Sequence, residues 1–189
     1  MRPGPWLAGA AALAALALLG RSISRPTPSS AAKAKLATLE DILRSRNDND
    51  PRLDRDFIGL SEEAKRLFRE KYLAVAPERR NERGTIVYLL GKNLRSEDDW
   101  SFFRAVVAEP PCLSLADCAK SSGAAGELGD EVTLAYPSLV ALRQAVRAAE
   151  EGASGSEARS VLEAAKTSKT RAVVRLAASL EPVFDKKAP

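Results

Sequence analysis

An all-α fold is predicted by three features of this chain. Aromatic residues make up only 5% of it, Ala and Leu are abundant, and runs of β-branched residues are almost absent. That composition favours helices over sheets. Apolar residues recur at three- and four-residue spacing from Leu36 to Leu180, the period of a helix with one buried face. Proline, glycine and Asp/Asn clusters divide that pattern into segments of helix length.

The first element is apolar throughout. Trp6 to Leu19 contains no charged residue, with Arg2 before it and Arg21 and Arg25 after it. A basic start, an apolar stretch and a polar Pro/Ser flank are the order of a secretory signal. As a helix, residues 6–20 would span roughly 22 Å, short of the ~30 Å hydrocarbon layer. Residues 1–24 are therefore expected to be a signal peptide or a single-span membrane anchor, which sets the location as the cell envelope, periplasmic, secreted or anchored. Against export, the basic residues Arg21, Arg25, Lys33 and Lys35 favour a cytoplasmic flank. Residues 25–34, with Pro26, Pro28, Ser29 and Ser30, read as a tether leading into a domain over 35–182, with 183–189 as a tail.

Leu36, Leu39, Ile42 and Leu43 give an amphipathic helix that ends near Asn47, where Asn47-Asp48-Asn49-Asp50-Pro51 favours a turn. Asp48, Asp50, Asp54 and Asp56 alternate in a way that suggests calcium. They lack the loop glycine and the final bidentate glutamate, so the segment reads as a turn. Ser61 is the expected N-cap of a helix whose inner face is Ala64, Leu67, Phe68, Leu73 and Val75. Pro77 can open the next helix, which carries Ile86, Val87, Leu89 and Leu90 and is expected to stop at Gly91 in a left-handed cap. Ser96-Glu97-Asp98-Asp99 begins another in the manner of a capping box, with Trp100, Phe103, Val106 and Val107 buried and Pro110-Pro111 as the stop. After a loop over about 110–130, Leu139, Leu142 and Val146 form a helix closed by Gly152. Ala158, Val161, Leu162 and Ala165 form a short one behind Ser156. Val173 to Leu180 form the last, capped by Thr170 and stopped before Pro182.

Helix starts near Glu62 and Glu97 are 35 residues apart, and the start near Glu157 follows 60 residues later. That is the spacing of an array of helix pairs with one inserted loop. From Arg83 to Pro110, with Leu89-Leu90-Gly91, the acidic turn Glu97-Asp98-Asp99, then Phe103, Val106, Val107 and Glu109-Pro110, the chain resembles a HEAT-type repeat. Arg171 to Pro182 is similar in texture. The resemblance covers about half of the chain beyond the leader. It implies antiparallel helix pairs in a short right-handed array that serves as a protein-binding scaffold without chemistry of its own. The aromatics Trp100, Phe102 and Phe103 are heavier than that family usually carries, and an irregular helical bundle is the alternative architecture.

Cys112 and Cys118 enclose five residues. In an exported chain they are expected to form a disulfide, which requires the segment to curl, since six residues of straight helix rise roughly 9 Å. In a reducing compartment they would be two small apolar residues. The sequence has no histidine, which removes the commonest general base, the Ser-His and Cys-His pairs and the usual zinc sites. Adjacent carboxylates, Glu62-Glu63 and Asp98-Asp99, diverge on a helix and sit where its N-terminus favours negative charge.

No enzyme activity, metal or cofactor is expected. Three of the formal +4 charges are Arg2, Arg21 and Arg25, so the remainder carries +1 and no basic surface for nucleic acid. The expected function is a protein–protein interaction scaffold in the envelope, touching the membrane through residues 6–20 if the leader is uncleaved. A structural envelope component and a membrane-anchored cytoplasmic adaptor are the alternatives. The residues expected to contact a protein partner are Arg79, Arg80, Arg83, Trp100 and Phe102.

Overall fold

Every regular element among the described residues of the computed structural model is helical, as expected. Those residues are 27–120, 130–152 and 155–185. The expected leader over 1–24 lies outside them. Within them no helix is long and apolar enough to cross a membrane.

The helices are α1 Ser30–Ser45, α2 Arg52–Arg55, α3 Glu62–Ala74, α4 Arg80–Gly91 and α5 Glu97–Val107, then α6 Glu131–Leu134, α7 Tyr136–Glu150, α8 Gly155–Lys166 and α9 Arg171–Asp185. Short polar residues supply most of the helix starts. Ser29 and Ser61 accept hydrogen bonds from the N–H groups of Ala32 and Ala64, and Asp130 accepts from Thr133. In α5 the expected capping box closes, Asp99 reaching back to the Ser96 N–H at 3.0 Å.

Side-chain contacts fix the relative directions of these helices. Ser29 donates to Glu63, and Lys71 pairs with Glu40 at 2.6 Å, so α1 and α3 run parallel. Ser96 meets Glu62 while Phe102 meets Tyr72, so α3 and α5 also run parallel. On the other side Gly84 faces Tyr136 and Gly91 faces Gln144, making α4 and α7 parallel. Helices α3 and α5 of the first set each pack against one of the second in the opposite direction. Lys65 and Tyr72 of α3 meet Asn93 and Arg83 at the far and near ends of α4, and Ser138 of α7 donates to the Val106 carbonyl of α5. Helices α8 and α9 form a further packed pair, with α8 also against α5 and α9 against α7. The core lies between the two sets, built on Phe57, Phe68, Tyr72, Phe103, Ile86, Leu89, Leu90, Leu142 and Leu162.

Several boundaries differ from the sequence reading. Helix α1 begins at Ser30, inside the stretch expected to be a tether. The Asp48–Asp56 turn contains the single helical turn α2. Leu73, expected on the inner face of α3, is 73% exposed because Tyr72, four residues after Phe68, takes the inward position. Pro77 does not open α4, which starts at Arg80. Gly91 is not a left-handed cap. It is the last helical residue of α4, and a Cβ there would lie 2.5 Å from the Cβ of Gln144, so it is small for packing. Helix α5 ends at Val107, before Pro110, whereas Gly152 does end α7 with φ +90°.

Helix α9 does not stop before Pro182 but runs through it to Asp185. The interior proline costs one backbone hydrogen bond and a clash with the preceding turn, about 3 kcal/mol in an exposed helix. Burial of Phe184 under the Arg159 guanidinium, with Val183 against the core, offsets that cost. Phe184→Ala is expected to fray α9 back to Pro182 and to lower stability by roughly 2–3 kcal/mol, measurable by urea unfolding.

Candidate functional site

Helical period decides where the arginines go. With α4 starting at Arg80, positions 80, 83, 84 and 87 face inward, while 79 faces outward and 82 lies at the boundary. Arg79 is exposed and pairs with Glu82 at 3.0 Å. Arg83 is buried, its guanidinium donating to Glu109 at 2.9 and 3.3 Å and lying 3.9 Å from the centre of the Tyr72 ring. The Tyr72 hydroxyl donates to the same carboxylate at 2.9 Å. Burial, then the neighbouring Glu109 charge, push the Tyr72 phenol far above its ordinary value, so it remains a neutral donor.

Arg80 is only 4% exposed, and it has no carboxylate within ion-pair distance among the described residues. Its Nη1 donates to the Pro77 carbonyl at 3.2 Å, and its Nε has no hydrogen-bond partner there. Burial lowers its pKa from the ordinary guanidinium value, the expected direction for a cation taken out of water. Of the two buried guanidiniums, only Arg83 has a carboxylate partner among the described residues, Glu109. Replacing Glu109 with glutamine leaves the buried Arg83 cation uncompensated and is expected to destabilise the protein by roughly 2 kcal/mol, read from the urea midpoint at constant m-value.

Arg79 and Arg80, but not Arg83, border a cleft of ≈ 300 Å³ between the end of α1 and the start of α4, with Ile42 and Leu43 on one side and Arg79 to Glu82 on the other. The cysteine loop forms a further wall through Leu115. Cys112 and Cys118 are bonded, their Cα atoms 4.2 Å apart. The loop curls as the geometry required, with the Leu113 N–H donating to the Cys118 carbonyl at 3.0 Å. Ser114 is buried and its hydroxyl accepts from the Ala116 N–H. The Cys118 N–H donates to Glu78 at 2.8 Å, tying the loop to the segment just before α4. On the chain-entropy model so small a ring contributes roughly 2 kcal/mol. Cys112→Ala/Cys118→Ala is expected to lower the melting temperature by that much stability and to increase proteolysis within residues 112–118.

Trp100 and Phe102 do not form an exposed pair. Trp100 is 3% exposed in the core. Phe102 is half-buried and sits edge-on to Tyr72, centroids 5.1 Å apart, so it joins the arginine cluster through that ring. The sequence reading missed Tyr72, Glu78 and Glu109. Tyr72 carried the only signal, its helical spacing from Phe68; Glu78 and Glu109 lie in irregular segments where periodicity says nothing.

The acidic groups do not converge elsewhere. Asp50 pairs with Arg52 at 2.7 Å, Asp54 with Lys92 at 2.9 Å and Asp56 with Arg55 at 2.6 Å. Glu62 and Glu63 turn to Lys65 and to Ser29, and Asp99 turns inward while Asp98 stays exposed. Among the described residues no group of three or more acidic or cysteine side chains could hold a metal ion. No protein-family model, curated protein or solved structure matches this chain.

Proposed function

We propose that this protein is an exported or membrane-anchored, non-catalytic scaffold that binds another protein in the cell envelope through a HEAT-like array of helix pairs. The observation that carries the scaffold reading is the packing order. Helix α3 pairs with α4, α5 with α7 and α8 with α9, while like members of successive pairs touch, α5 with α8 and α4 with α7. Each pair buries its apolar faces against its neighbours, which is how helical repeats build a continuous core and leave one face for partners.

Two features support the location. The apolar leader fits a translocation signal or anchor, and the bonded Cys112–Cys118 pair fits an oxidising compartment. The carboxylate arrangement supports a non-catalytic role, since each candidate acid or base is engaged by a structural cation or an N–H group. A C-terminal alkaline phosphatase fusion, active only after export, tests the location. Activity from that fusion together with oxidised Cys112 and Cys118 in alkylation gels is the expected result. An inactive fusion with both thiols freely alkylated in intact cells would overturn it.

A further inference from the structure

The start of α4 offers more hydrogen-bond donors than the protein uses. The N-cap Arg79 provides no side-chain cap, and the N–H groups of Asn81 and Glu82 have no hydrogen-bond partner among the described residues. Helix N-termini attract negative charge through such groups. Arg80 is a second and independent observation. It is only 4% exposed, it lines the same cleft, and its guanidinium has no carboxylate partner among the described residues, only Nη1 being engaged, by the Pro77 carbonyl at 3.2 Å. A buried guanidinium without a carboxylate is costly, and an incoming carboxylate would supply the missing partner in the geometry a guanidinium favours.

The remaining walls narrow the chemistry. Ile42, Leu43 and Leu115 make one side of the cleft apolar. Asp48, Glu78 and Glu82 also line it, and Glu78 and Glu82 are already engaged by the Cys118 N–H and by Arg79. Those carboxylates oppose a doubly charged group such as phosphate, while tolerating a single negative charge placed on Arg80. A volume of ≈ 300 Å³ matches a residue or two of extended peptide rather than a folded surface.

We propose that this cleft captures the free C-terminal carboxylate of a partner protein whose last side chain is aliphatic. The carboxylate takes the Arg80 guanidinium and the α4 N–H groups, and the aliphatic side chain lies against Ile42, Leu43 and Leu115. The inference deepens the protein-binding reading and rests on it, but it is tested in vitro, independently of export.

The probe is a fluorescein-labelled Gly-Ser-Ala-Leu peptide with a free C-terminal carboxylate, titrated with the purified full-length protein by anisotropy. Binding with a dissociation constant of roughly 10–100 μM is expected. The same peptide amidated at its C-terminus, and wild-type protein replaced by Arg80→Met, should each bind at least about tenfold more weakly, the loss of one charge-assisted contact. Arg80→Met removes a buried cation, so its melting temperature should not fall, and Arg80→Lys serves as a second variant that keeps the charge without the planar fork. Acetate should compete weakly and inorganic phosphate no better than acetate. Equal binding of the acid and amide peptides, undiminished binding by Arg80→Met, or no binding of the acid peptide at about 1 mM protein would each overturn the carboxylate site. Equal acid and amide binding would leave the scaffold reading intact, whereas an inactive phosphatase fusion would remove the envelope location and leave this site standing.

Discussion

Asp99→Ala is expected to be among the most damaging single substitutions, costing roughly 3–5 kcal/mol and lowering the melting temperature by on the order of 10 °C. Lys65 is 0% exposed, and Asp99 is the buried carboxylate that compensates it. The only other acidic contact of Lys65 among the described residues, Glu62 at 2.6 Å, is 61% exposed and screened by water. Asp99 also pairs with Arg69 at 2.7 Å and accepts from the Arg95 and Ser96 N–H groups at 3.0 Å each. Its removal therefore strands a buried ammonium, a half-buried guanidinium and two helix-start donors together. Lys65→Met should cost less, because Asp99 keeps Arg69 and both N–H groups while methionine fills the same volume. By contrast Arg44→Ala, which breaks a pair 78% and 54% exposed, should change stability by less than about 1 kcal/mol. Urea unfolding of the three variants checks the order.

The same carboxylate gives the stability an acid limb. Burial alone would raise the Asp99 pKa, but the hydrogen bonds from Lys65 and from the Ser96 and Arg95 N–H groups outweigh it and hold the group below its ordinary 3.8. A depressed folded-state pKa means that the contribution is fully present above the unfolded value and is lost as pH falls through the folded one. Stability should therefore drop progressively below about pH 4. Asp99→Asn should be less stable at neutral pH and show a shallower acid limb. An unchanged limb in that variant would show that other carboxylates govern acid unfolding.

Gly91→Val is expected to cost about 3 kcal/mol or more, by separating α4 from α7. A Cβ at Gly91 would stand 2.5 Å from both Cβ and Cγ of Gln144, and the first of these is fixed to the α7 backbone. The helix must move as a body, because no side-chain rotation relieves the contact. Gly84 is the informative comparison. Its Cβ would stand 2.3 Å from Cε1 of Tyr136, but that ring is 38% exposed and can swing outward. Replacing glycine by alanine in a helix gains about 1 kcal/mol of propensity. Gly84→Ala should consequently be near neutral, whereas Gly91→Ala should still destabilise. Equal effects at the two sites in thermal melts would mean that α7 yields as easily as the tyrosine does.

The leading features of the fold were legible because they are local. Ser61 and Ser96 cap their helices as read, and the stripes Trp100–Val107 and Ala158–Ala165 are buried as the period required. The cysteine loop curled because six residues of helix are too long for a disulfide. Errors gathered where a distant residue overruled a local preference. Gly91 carries the signature of a helix cap, yet Gln144 of α7 is what demands its size. Pro182 signals a stop, yet burial of Phe184 carries the helix past it.

The candidate site shows the same division. Sequence alone determined an all-helical chain, the curl that a Cys112–Cys118 bridge would require and a cluster of arginines near the start of one helix. Which of those arginines face water was decided by tertiary structure. Arg79 and Arg80 are neighbours in sequence, but α4 packs against α3 and α7, so one stays solvated and the other is driven inside. Glu109 lies 26 residues beyond Arg83 and reaches it only because α5 lies alongside α3, which packs on α4. Charge compensation across such a separation depends on helix packing, and periodicity within one segment carries no information about it.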